Sequence, residues 1–270
     1  MAADSLMTSP TRAMELWQAL GGTPFLADTF QPRTLLSLAA AARRRVDPSA
    51  YPTLAEYLDP AKAADVFRKN ARCRTEGIES VPLEDPELLR QITEATERIT
   101  ARVPQWTPLF QIPIRYRHMP GSHISCTTAL IPQTIFLGTP AFAYDRLLEE
   151  TLIHEHAHVW LTFVSELCDL QVDGSPTQFT LPSGTSGKSL RGVLLAGHFA
   201  AVAARYFLRS DTDADSHQRG TELVGYLGGC VTTAADRLEL TPVGRLVQAD
   251  LAAAWELHTR SALAKETAAS

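Results

Sequence analysis

"EETLIHEHAHVWLTF", residues 149–163, sets three histidines and three glutamates in a run whose other members are mostly apolar. His154, Glu155 and His158 read H-E-x-x-H. At 3.6 residues per turn, positions four apart leave one face of a helix, so both imidazoles can converge on one cation with Glu155 beside it. The flanking Leu152, Ile153, Ala157, Val159, Trp160, Leu161 and Phe163 predict a buried helix from about Tyr144 to about Cys168. Burying two imidazoles and a carboxylate with neither metal nor hydrogen-bonding partner is costly, so His154 and His158 are read as metal ligands. His156 lies about 200° round the helix from either of them and is read as a residue that supports the ligands from behind or as a packing residue.

The chemistry depends on a third donor from elsewhere. The "VWLTFVSELCDL" that follows His158 lacks the G-x-x-H continuation of metzincins, and no N-x-x-x-E helix of the thermolysin kind follows. Glu166 is about 12 Å along the same helix, too far to share the cation, and is expected to face solvent or to pair with a cation. His198 sits on an apolar helix among the small residues Ala196, Gly197, Ala200 and Ala201, which permit close approach of another helix, and is the expected third ligand. His118 and His123, in "HMPGSHIS", are the rival donors.

Around the motif the chain reads as mainly α with a small β-sheet, an α+β fold with a metallopeptidase-like core in a single domain. Residues 1–103 form a helical N-terminal portion and 104–270 the metal-binding catalytic portion. Helical spacing runs through "PRTLLSLAAAARRRV", through "DPELLRQITEATERITARV" with Asp85 as N-cap, and through most of 213–262. Between 104 and 140, Pro and Gly punctuate short runs rich in Ile, Thr and aromatic residues, as strands would be, and "TIFLG" is expected as an edge strand open to an extended peptide.

The 270 residues are 45% hydrophobic and 20% charged, enough for a sizeable core. With 25 Lys plus Arg against 30 Asp plus Glu, a formal charge of -5 gives no electrostatic reason to expect nucleic acid or an anionic membrane. Cys73, Cys126, Cys168 and Cys230 form no C-x-x-C pair, the usage of a reducing, cytoplasmic protein. The N-terminus "MAADSLMTSPTRAMELW" lacks a basic segment followed by an apolar one, so neither secretion nor membrane insertion is expected. The loop "FTLPSGTSGKS" imitates a phosphate-binding loop, but Pro182 stands where the first glycine belongs and the parallel strands of a nucleotide-binding domain are missing. What remains of it is a helix start where the amides of Gly187, Lys188 and Ser189 can meet an anionic group.

"LLEETLIHEHAHVWL" preceded by "IPQTIFLGTP", with "SLRGVLLAGHFAAVAARYF" about forty residues later, resembles the family of HExxH-motif peptide-modification proteins, some of which are iron(II) and 2-oxoglutarate dependent peptide hydroxylases. The resemblance covers residues 130–208. It implies iron(II) held by His154, His158 and His198, 2-oxoglutarate as co-substrate, and hydroxylation of a peptide or amino-acid derivative in natural product biosynthesis. A co-substrate carboxylate favours arginine, and Arg191 and Arg205 each lie seven residues from His198 on its face. Side chains lean toward the helix N-terminus, so Arg205 points back to the metal and is preferred over Arg191. The alternative is a zinc metallopeptidase in which Glu155 is the general base. A metal-stabilised scaffold without catalysis is a third class.

Overall fold

The computed structural model of the chain describes residues 10–69, 78–176, 178–209 and 214–269, with side chains to residue 260. The first nine residues and Cys73 lie outside the described residues. Among those described, the helices are α1 Pro10–Leu20, α2 Pro32–Val46, α3 Pro60–Lys69, α4 Pro86–Arg102, α5 Thr107–Phe110, α6 Asp145–Leu167, α7 Leu190–Phe207, α8 Ala214–Ala234 and α9 Pro242–Ala269. The strands are β1 Val81–Pro82, β2 Arg115–Met119, β3 Ser125–Thr127 and β4 Thr134–Gly138. The fold is mainly helical with one small mixed sheet. No described helix is long and apolar enough to cross a membrane.

The described residues divide at Gln31/Pro32 and at Leu167/Cys168, so Pro32–Leu167 is one compact unit and the segments on either side of it form the other. The chain before residue 104 therefore contributes to both units: α2 and α4 pack on α6 within the first, and α1 packs on α9 within the second.

In the unit of Pro32–Leu167 the sheet order is β1-β2-β4-β3, with β2 and β4 parallel and the other pairs antiparallel. Every residue of β4 is buried. "TIFLG" is thus an interior strand, and the edge that sequence reading gave it belongs to β3. The physical reason is its composition: an unbroken apolar run suits a strand covered on both faces, whereas an exposed edge alternates. Gly138 closes β4, and a Cβ there would stand 1.9 Å from the His123 carbonyl oxygen, so no side chain fits.

The sheet and α6 are joined by a buried cation. Arg43 of α2, 2% exposed, donates from Nε and Nη2 to the Glu166 carboxylate of α6 at 2.8 and 2.7 Å. Its Nη1 donates to the Tyr57 carbonyl at 2.8 Å and to Gln133 Oε1 at 2.6 Å. Gln133 passes the linkage on, donating from Nε2 to the carbonyls of Leu58 and Pro113, both at 2.8 Å. It does so from a left-handed backbone, φ 52°, at the entry to β4. Glu166 pairs with a cation, one of the two fates expected of it.

In the other unit the small residues of α7 permit the close approach that sequence predicted. A Cβ on Gly197 would lie 3.2 Å from Cys230 Cβ of α8 and 3.1 Å from Leu251 of α9.

Removing one member of a buried pair leaves an uncompensated charge. Arg43→Met or Glu166→Leu alone is expected to cost about 3–5 kcal/mol in urea unfolding, and the double substitution less than either. A double variant as destabilised as the sum of the singles would show that the two residues are not coupled.

Candidate metal centre

Helix α6 buries thirteen of its 23 residues, polar Glu149, Thr151, Glu155 and His156 among them. Polar contacts set its rotation. Trp160 Nε1 donates to the Leu109 carbonyl at 2.8 Å, and Arg98 of α4 donates to Glu149 at 2.5 Å. His156 faces away from the motif's histidines: its Nε2 lies 3.3 Å from the Tyr116 hydroxyl and its ring packs 4.3 Å from that of Phe110. This is the packing role, one of the two expected of it.

On the opposite side, His154 Nε2 and His158 Nε2 approach to 2.8 Å. They stand in the wall of a pocket of about 360 Å³ whose other walls are residues 124–127 of the β3 strand region and Leu147, Glu150, Thr151 and Glu155 of α6. Burial holds the His154 imidazole down at about 4, so at neutral pH it is in the uncharged form that a metal requires. Two converging imidazole nitrogens open to a pocket fit two positions of a zinc or iron site. Among the described residues no group of three or more His, Cys, Asp and Glu able to hold a metal is assembled.

Glu155, 2% exposed, lies beside the pair. Its Oε1 accepts a 2.6 Å hydrogen bond from Ser125 Oγ of β3, while its Oε2 is buried with no hydrogen-bond partner. Burial pushes the carboxyl up to about 7, against the hydroxyls of Ser125 and Thr127, which favour the charged form.

The other expected site residues lie on α7, in the other unit. His198, fully buried, places Nε2 2.8 Å from the Pro24 carbonyl oxygen. A carbonyl only accepts, so that nitrogen carries the proton and is not a metal donor in this arrangement. Arg205 donates to the carbonyls of Phe25 and Leu26 at 2.9 and 2.6 Å and to Asp28 at 2.5 Å. His198 and Arg205 together tie residues 24–28 to α7. Arg191 lies in the first turn of α7, where its amide donates to Gln171 and burial lowers the pKa of its guanidinium. Of the rival donors, His118 contacts Thr139 and His123 is exposed. Neither lines the pocket.

The loop before α7 is a hairpin. Phe179 and Lys188 exchange backbone hydrogen bonds of 3.0 Å, and Ser189 caps α7 by accepting from the Gly192 amide. The Lys188 amide is therefore taken by Phe179, and the expected anion cradle loses its central donor.

Sequence reading missed Ser125 and Thr127. The alternation in "SCT" after a Pro-Gly turn marks a strand, but which helix its hydroxyls meet is set by sheet order. Register shows what else β3 offers. Gly138 donates to the Ile124 carbonyl and Cys126 is opposite Phe136, so these residues turn their backbone groups to β4. By antiparallel alternation, Ser125 and Thr127 turn theirs to the free edge.

His154→Ala or His158→Ala is expected to lower bound zinc or iron by at least about tenfold in metal analysis, given the loss of one of few ligands. His198→Ala tests the third position: loss of metal would establish His198 as a ligand, and metal retained with lowered thermal stability would make its role structural. In chelator-treated protein, His154 and His156, held at about 4 and about 3, contribute stability as uncharged rings that is lost as pH falls below their unfolded value near 6.5. Glu155, raised to about 7, acts in the opposite sense. Near pH 5.5 the unfolded chain thus holds about one proton more than the folded chain on these three groups, and stability should fall on acidification. A flat profile between pH 6 and pH 5, in urea titrations at about those values, would contradict it. Compared with known proteins, the chain matches no protein-family model and no curated protein.

Proposed function

We propose that the protein is a metal-dependent enzyme acting on a peptide or amino-acid derivative, and that its activity is iron(II) and 2-oxoglutarate dependent hydroxylation. The observation that carries the metal is the convergence of His154 and His158 at 2.8 Å on a pocket of about 360 Å³. The resemblance of residues 130–208 to HExxH peptide-modification proteins supports the choice of iron and oxoglutarate. Bound there, iron and oxoglutarate supply the oxidising power: one oxygen atom of O2 enters the C–H bond and the other leaves in succinate, with loss of CO2.

The chain's own residues hold and orient. His154 and His158 supply the two nitrogens, and Ser125 fixes Glu155 in the pocket wall. The outward amides and carbonyls of Ser125 and Thr127 provide a ladder for an extended peptide beside the metal pair. In this reading Glu155 is a substrate contact rather than a base.

One observation favours the zinc metallopeptidase as a second reading. Glu155 adjoins the histidine pair with a carboxyl raised to about 7, near the value that suits a general base, and among the described residues no Lys or Arg lines the pocket to receive an oxoglutarate carboxylate. Purified protein given iron(II), oxoglutarate, O2 and a peptide mixture is expected to form succinate in step with a 16 Da gain on a peptide. Glu155-dependent cleavage with zinc, and no response to oxoglutarate, would establish the peptidase instead. Neither activity, with His154→Ala merely less stable, would leave a structural metal.

A further inference from the structure

Among the described residues, the lining of the pocket carries two carboxyl groups, Glu150 and Glu155, and neither Lys nor Arg.

Glu155 offers the acceptor that a substrate would meet. Ser125 Oγ occupies Oε1, and with that oxygen pinned to β3 the carboxylate cannot rotate freely. Its second oxygen, Oε2, is buried in the pocket wall and accepts nothing. A buried acceptor left without a donor is costly, and a charged N–H donor meets a carboxylate roughly twice as well as a neutral one. The free edge of β3 lies alongside. An extended chain paired with the outward groups of Ser125 and Thr127 directs alternate side chains toward α6, the side from which Ser125 reaches Glu155.

We infer that the substrate segment seated in this pocket is basic, an extended peptide that places a lysine- or arginine-like head on Glu155 Oε2. The inference rests on the proposed function for the presence of a substrate at the metal pair. It goes beyond that reading in naming the side chain recognised. Glu155 is then a specificity-determining contact.

The test is calorimetric titration of the full chain with capped pentapeptides, alanine throughout except for a central lysine, glutamine or norleucine. Zinc-loaded and chelator-treated protein are both used. The lysine peptide is expected to bind about tenfold more tightly than the other two, the scale of one charge-assisted hydrogen bond. Glu155→Gln should erase that preference while its metal content stays unchanged. Equal binding of the lysine and glutamine peptides, a preference that survives Glu155→Gln, or no binding of any peptide overturns the inference. The ranking on the unaltered protein does not depend on whether the variant folds. Failure of the unaltered protein to hold metal would count against the proposed function alone, because the chelator-treated titration still ranks the peptides.

Discussion

The buried pair of Arg43 and Glu166 is the constraint on which the unit of Pro32–Leu167 depends. An arginine 2% exposed has no water to fall back on, so each of its donors must find an acceptor inside the protein. It finds them on three elements: α6 through Glu166, the turn after α2 through the Tyr57 carbonyl, and the entry to β4 through Gln133. The rings of Phe163 and Phe67 stand 5.1 and 5.8 Å from the guanidinium. Such a pair adds little net stability over a well-packed apolar core, but it admits few alternative arrangements of those three elements.

That constraint reaches the pair of His154 and His158 because Glu166 and His158 share a helix. With Glu166 held at one end, Arg98 on Glu149 at the other, and Trp160 bonded to the Leu109 carbonyl between them, α6 cannot turn about its axis without breaking a buried polar contact. Rotation of the helix is what aims His154 and His158 into the pocket and His156 against Phe110. The same restraint lets a single hydroxyl, that of Ser125, fix Glu155. A carboxylate on a mobile helix would give no such selectivity.

The residues of α7 show the limit of reading faces from a sequence. His198 and Arg205 do share a face, as their spacing requires. Spacing, however, says nothing about what that face meets. In the structure it meets the carbonyls of residues 24–26, nearly 180 residues away in the chain, and both side chains satisfy backbone groups that would otherwise be orphaned. An arginine and a histidine on an apolar helix fit either role, and only the identity of the partner separates them.

The sequence by itself determined the local matters. Helical periodicity fixed α6, the four-residue spacing put His154 and His158 on one side and His156 on the other, and the small residues of α7 announced close helix packing. These depend on geometry within a few turns of one element, which composition encodes directly. Tertiary structure alone decided that β4 is interior and β3 the open edge, that Ser125 meets Glu155, and that Arg43 reaches Glu166 across 123 residues of chain. The physical reason is that strand order and buried pairing are chosen by which distant segments can satisfy each other's polar groups. That choice is made by the whole chain and written in no single stretch of it.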